Sequence, residues 1–166
     1  KAHEYDYDIV GNRTGYRFYR EWTDGQTDPV TWDVAYTHDE LDRMTSMIKT
    51  DSQGAHPVQY RYNLSGTLKT QTYPNGCSVE YTFDNLDRVL TMVNKKPGGE
   101  AFLSFGYVYD ELGRRTQITR TEGSGATAKV VVSGYGYNKA GWLTRETRKD
   151  GRGNLIWEAL YGYDLV

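Results

Sequence analysis

Tyr107-Val108-Tyr109-Asp110-Glu111-Leu112-Gly113-Arg114 is the clearest copy of a phrase that this chain carries seven times. The other copies begin Tyr5-Asp6-Tyr7-Asp8-Ile9-Val10-Gly11, Tyr36-Thr37-His38-Asp39, Tyr60-Arg61-Tyr62-Asn63-Leu64-Ser65-Gly66, Tyr81-Thr82-Phe83-Asp84, Tyr135-Gly136-Tyr137-Asn138-Lys139-Ala140-Gly141 and Tyr161-Gly162-Tyr163-Asp164. With the Asp or Asn as anchor, the copies stand 21 to 31 residues apart. That period belongs to repeat architectures, in which a unit buries its face only against its neighbours. The chain reads as an array over residues 1–166, six full repeats and the start of a seventh, cut from a longer protein.

Side chains of a strand alternate between two faces. Counting back by twos from each anchor gives His38, Tyr36, Val34 and Trp32; Tyr62, Tyr60, Val58 and His56; Phe83, Tyr81, Val79 and Cys77. The later copies give Tyr109, Tyr107, Phe105 and Leu103, then Tyr137, Tyr135, Ser133 and Val131, then Tyr163, Tyr161, Ala159 and Trp157. Most of these are aromatic or apolar, whereas the intervening residues are mostly polar or small. Each phrase is therefore expected to end a half-buried strand with its tyrosines on one side.

The anchor and the residue three later fit a type I turn. Asp or Asn accepts an N–H from within the turn, and Gly leaves it in a backbone conformation that other residues resist. Asp42 and Asp87 stand where the other copies have Gly, a milder form of the same tolerance. Beyond the turn, runs such as Arg43-Met44-Thr45-Ser46-Met47-Ile48 and Arg88-Val89-Leu90-Thr91-Met92-Val93 read as alternating return strands. A second set of turns joins the repeats: Asp24-Gly25, Ser52-Gln53-Gly54, Asn75-Gly76, Pro97-Gly98-Gly99, Gly123-Ser124-Gly125 and Asp150-Gly151. The fold class is all-β, an antiparallel meander of about twelve strands. Its sheet is expected to curve or spiral, or to roll into a barrel-like form.

Composition narrows the function. The chain is 37% hydrophobic with 15 Tyr, too poor in aliphatics for a thick core and too aromatic for disorder. Net charge is −2 with the signs interspersed, which argues against nucleic acid as a partner. Val130-Val131-Val132 is far too short an apolar run to span a membrane. Cys77, the single cysteine, excludes an internal disulfide and a cysteine-based zinc site and is expected to be a small buried hydrophobe.

His3, His38 and His56 have no partners at metal-ligand spacing, so neither metal nor cofactor is expected, and His38 reads as an aromatic stand-in for a repeat tyrosine. Paired carboxylates perform glycoside chemistry. Here Asn63 and Asn138 replace Asp8, Asp39, Asp84, Asp110 and Asp164 where an acid or base would be needed, so catalysis is not expected. Tyrosines interleaved with Arg43, Arg61, Arg88, Arg114 and Arg115 suit a sugar or protein surface instead. The alternative role for the tyrosines is as the sheet's own thin core, stacked on their counterparts in adjacent repeats. Asn12-Arg13-Thr14 and Asn63-Leu64-Ser65 match the glycosylation sequon only because they overlap the phrase.

The phrase Tyr-x-Tyr-Asp-x-x-Gly-Arg, repeated with Gly-rich hairpins between copies, resembles the YD repeat of bacterial Rhs proteins, of the B and C components of insecticidal Tc toxins and of the extracellular part of teneurins. The resemblance covers essentially the whole chain. It implies a β-strip that spirals into a hollow shell and, in bacterial members, encloses a toxic C-terminal domain. Those shells end in a self-cleaving plug marked Asp-Pro-x-Gly. Here Asp28-Pro29 is followed by Val30-Thr31-Trp32, so no protease residue carries over. The resemblance implies a secreted or surface-exposed bacterial protein whose partners are neighbouring repeats or a second copy through open sheet edges, and an enclosed polypeptide. The alternative is an adhesion module binding glycan or protein through its tyrosine face.

Overall fold

The computed structural model describes residues 2–19 and 32–164. The expected Asp24-Gly25 turn and the Asp28-Pro29 pair lie outside them. Two compact units divide the chain, residues 1–77 and 78–166.

The first unit holds β1 (Ala2–Tyr7), β2 (Arg13–Tyr19), β3 (Trp32–His38), β4 (Met44–Asp51), β5 (Gly54–Tyr62) and β6 (Leu68–Thr72). Each strand pairs antiparallel with the next in sequence. The second unit holds β7 (Ser78–Phe83), β8 (Val89–Lys95), β9 (Ala101–Tyr109), β10 (Arg115–Glu122), β11 (Lys129–Tyr137), β12 (Leu143–Asp150) and β13 (Leu155–Leu160), paired in the same way. A single 3₁₀ turn, Gly125–Thr127, is the helical content of the described residues. The fold is the expected all-β meander, with thirteen strands because the seventh phrase contributes its leading strand, β13. Strand order is linear, so β1 does not meet β6 and β13 does not meet β7. Neither unit closes into a barrel, which removes the barrel-like alternative.

The core is thin. Among the described residues the buried hydrophobics are Val34, Val58 and Val79, each five positions before an anchor, and no polar residue is buried. Burying one valine contributes about 1.5–3 kcal/mol. Three of them cannot organise a chain of this length, so backbone ladders and side-chain links between repeats carry the rest. Cys77 departs from expectation: it closes the Tyr73–Cys77 turn just before β7 and is only half-buried.

One irregularity recurs in every described repeat hairpin. Phe83 pairs with Val89 but Thr82 pairs with Thr91, leaving Leu90 as an extra residue. The same step occurs at Tyr7, His38, Tyr62, Tyr109 and Tyr137. These are β-bulges six residues after the anchor. The return strands therefore do not alternate cleanly from their first residue. Val89 and Met92, three apart, share the tyrosine face through their partners Phe83 and Tyr81, as Met44 and Met47 do opposite His38 and Tyr36.

No helix among the described residues is long and apolar enough to cross a membrane.

Candidate functional site

The second tyrosine, the anchor, the glycine and the arginine of the repeated phrase hold defined places in one hydrogen-bonded joint. In the fifth repeat the Asp110 N–H donates to the Arg114 carbonyl at 2.9 Å, and the Gly113 N–H donates to the Asp110 carbonyl at 3.0 Å. This is a three-residue hairpin loop in which a left-handed residue follows a type I turn. Gly113 has φ 78°, and Asp42 and Asp87 hold the same place at 59° and 56°. The two aspartates thus adopt the conformation expected of them. The same backbone pair recurs at Asp8, Asp39, Asn63, Asp84 and Asn138.

The anchor side chain fixes the loop. Asp110 Oδ1 accepts the N–H of Leu112 at 3.0 Å and of Arg114 at 2.9 Å. Asn138 Oδ1 does the same for Ala140 and Trp142, both at 3.0 Å. An amide oxygen serves as well as a carboxylate, which is why Asn is allowed at this position.

The second carboxylate oxygen reaches the arginine that ends the phrase. Arg43 Nε donates to Asp39 Oδ2 at 2.8 Å, Arg88 Nε to Asp84 Oδ2 at 2.6 Å, and Arg114 Nε to Asp110 Oδ2 at 2.7 Å. From there each guanidinium crosses to the next repeat. It lies 4.6 Å above the Tyr62 ring, 4.7 Å above Tyr109 and 4.7 Å above Tyr137, respectively. Its Nη1 also makes a long hydrogen bond of 3.3–3.5 Å to the carbonyl of the next anchor. These tyrosines are therefore covered by arginine, not by counterpart tyrosines, and three of the five arginines considered for ligand stacking are already committed.

The covered tyrosine completes the joint by donating backwards. Tyr62 Oη bonds the Met44 carbonyl at 2.7 Å, Tyr109 that of Val89 at 2.8 Å, Tyr137 that of Arg115 at 2.8 Å and Tyr163 that of Leu143 at 2.6 Å. Each acceptor is the residue just before a bulge. A repeat thus grips its successor through a ring, a hydroxyl and a guanidinium.

Electrostatics follow the geometry. The Arg43 side chain holds the Asp39 carboxyl below its ordinary range. Desolvation pushes Asp84 and Asp110 upward, but the N–H groups and guanidinium of Arg88 and Arg114 outweigh it and both end lowered. Asp8 is likewise lowered despite desolvation, by the amide and side chain of Asn12. At the opposite sheet end Asp51 falls to about 2 through the Gln53 N–H, His56 and Lys49.

One turn between repeats uses the same joint where the sequence reading placed another. Asp150 accepts the N–H of Arg152 and of Asn154, both at 2.9 Å, and Gly153, not Gly151, is left-handed with φ 86°. The Asp-Gly pair suggested a two-residue loop; the anchor's own spacing selects the glycine three residues on.

The first tyrosines of the phrases, Tyr5, Tyr36, Tyr60, Tyr81, Tyr107, Tyr135 and Tyr161, lie outside this joint. In the second unit Tyr81 and Tyr107 border an open groove of about 590 Å³ on the tyrosine face, lined also by Met92, Tyr109, Tyr137 and Arg115. No cluster of His, Cys, Asp or Glu suited to a metal occurs among the described residues.

No protein-family model matches the sequence, and no curated protein is significantly similar to it. Solved structures do resemble its fold. The crystal structure of TcdB2-TccC3-Cdc42 aligns with 95% of this chain at 13% identity and a TM-score of 0.59. TcdB2-TccC3 without its hypervariable C-terminal region aligns over 95% at 12% identity and 0.59, and the Photorhabdus luminescens Tc holotoxin pore over 95% at 12% identity and 0.57. This chain spans 10% of the first matched chain and 9% of the other two. At such identities the likeness is one of fold.

Proposed function

We propose that this chain is a non-catalytic structural segment of a hollow β-shell that encloses a polypeptide, such as a C-terminal toxin, in a secreted or surface-exposed bacterial protein. The observation that carries this reading is the joint itself. The residues that would tempt a catalytic assignment, the anchor carboxylates, are consumed in fixing turns and gripping the next repeat. The fold shared with structures containing TcdB2-TccC3 supports the shell over a free-standing sheet. Limited proteolysis of the parent protein, with electron microscopy, tests it: a hollow particle with one protected internal segment is expected. An open strip with every segment equally cleavable would overturn it.

A second reading, adhesion through the tyrosine face, is favoured by the groove in the second unit. Neither the Tyr107 hydroxyl nor the Arg115 guanidinium makes a side-chain bond among the described residues. Aromatic rings beside an unpaired cation suit a sugar carrying an anionic group. Binding on a glycan array that disappears in Tyr107→Ala and Tyr135→Ala would support this role, and silence across the array would remove it.

A further inference from the structure

Five residues after each anchor the chain returns to the tyrosine face, paired with the last ring of its own phrase or with the His38 that replaces it. That place is aliphatic at Met44, Leu68, Val89 and Leu143 and is arginine at Arg13 and Arg115. Arg13 has a structural task. Asn12 precedes it where Arg43, Arg88 and Arg114 stand in later repeats, and Arg13 covers the rings instead, 5.1 Å above Tyr5 and 5.9 Å above Tyr36. In the fifth repeat Arg114 already covers Tyr137. Arg115 is therefore a second arginine in a place that needs none, and its guanidinium has no side-chain partner among the described residues. A residue that breaks a local pattern without a structural gain is a signature of function.

Arg115 lines the groove on the tyrosine face of the second unit, and the rest of the lining selects what it would hold. Val89 and Met92 make part of that lining apolar, and a methionine adapts to side chains of varied shape. The hydroxyls of Tyr109 and Tyr137 are committed to the carbonyls of Val89 and Arg115. The Tyr107 hydroxyl and the Arg115 guanidinium remain for a ligand. No acidic residue among the described ones lines the groove, so the cation is uncompensated. A sugar ring, with hydroxyls around its whole edge, would find few partners for them here. An apolar side chain near a carboxylate matches both the lining and the charge, because a guanidinium fork takes a carboxylate through two parallel bonds. Met92 lies on β8 and Arg115 on β10, two strands and about 10 Å apart. Residues two apart in an extended segment share a side and span about 7 Å, and their side chains supply the rest.

We propose that this groove holds an extended segment of the enclosed polypeptide, with an apolar side chain against Val89 and Met92 and an acidic residue two positions away on Arg115. The proposal rests on the reading of the chain as a shell segment and adds that the tyrosine face of the second unit points inward.

NMR titration of the 166-residue chain with two end-blocked peptides, acetyl-Leu-Ser-Glu-amide and acetyl-Leu-Ser-Gln-amide, tests it. The acidic peptide should shift the Tyr107 ring and Arg115 Nε–H signals and bind about fivefold to tenfold more tightly than its amide twin. Arg115→Leu should erase that preference and leave thermal stability unchanged, since Leu68 and Leu143 serve at the same place in their own repeats. Absence of binding by the acidic peptide, equal binding of the two, or a preference that survives Arg115→Leu overturns the proposal. A loss of stability in that variant also overturns it, by giving the arginine a structural task. So does a disaccharide containing glucuronic acid that shifts the same signals when the acidic peptide does not, which assigns the groove to adhesion. The shell reading fails separately, on the shape of the parent particle. A hollow parent whose groove ignores the acidic peptide removes this inference alone.

Discussion

The fifth and sixth repeats meet the same requirement by different chemistry. In the fifth, Arg114 pairs with Asp110 and covers Tyr137 at 4.7 Å. In the sixth, an amide anchor replaces the acid, and Trp142 covers Tyr163 with ring centroids 4.9 Å apart. Both tyrosines donate to the carbonyl of the residue before the bulge. What is held constant is a cover over the next ring; the ion pair is optional. The charged form adds a bond to the next turn, while the indole form exchanges that bond for apolar area.

The largest expected effect breaks what the two repeats share. Gly113→Val and Gly141→Val place a β-branched residue at φ 78° and 86°. At Gly113 an added Cβ would come no nearer than 3.7 Å, to Arg88 Nη1, so the cost is mainly conformational, about 2 kcal/mol in either repeat. Chemical denaturation checks it, and equal losses in the two variants are the expected result.

Tyr137→Phe removes one hydroxyl bond and should cost about 1 kcal/mol in the same measurement, with Tyr163→Phe close behind. Covering the ring is a smaller matter. Arg114→Ala should cost about 0.5–1 kcal/mol, the range of an exposed cation over a ring, whereas Arg114→Trp should recover most of that by importing the sixth repeat's solution. A cycle combining Arg114→Ala with Tyr137→Ala would sharpen the point, and zero coupling would show that the stacking is incidental.

The smallest effect separates the repeats by pH. The Asp110 carboxyl is lowered in the fold, so its contribution is complete above the ordinary carboxylate range and is lost as pH falls through its depressed value. Hydrogen exchange at the Leu112 and Arg114 amides should accelerate relative to intrinsic rates in acid, while those of Ala140 and Trp142, anchored by Asn138, should not. Asp51, lowered to about 2, should be among the last carboxylates to release its turn.

Much of this was legible in the residue order. Tyrosines spaced by two fixed the face of each leading strand, and an Asp or Asn followed by Gly fixed the turn. The bulge was not, because it exists only in the register between two strands, and nothing in Arg88-Val89-Leu90-Thr91-Met92-Val93 marks Leu90 as extra. The role of Arg43, Arg88 and Arg114 was hidden for a related reason: each is written in one repeat and acts on the next. Gly153 was overlooked because Asp150-Gly151 offers a stronger local signal than a spacing learned from the other anchors. Cys77 looked like strand because parity was carried one residue too far, into a turn set by Pro74 and Gly76.

The linear strand order has a kinetic consequence. Within each unit every described ladder joins strands adjacent in sequence, so contact order is low for an all-β chain, and folding is expected to be fast for its class. A hairpin can close as soon as its second strand is available, without waiting for a distant partner. A chain emerging end-first, from a ribosome or through a pore, can therefore acquire its structure one repeat at a time.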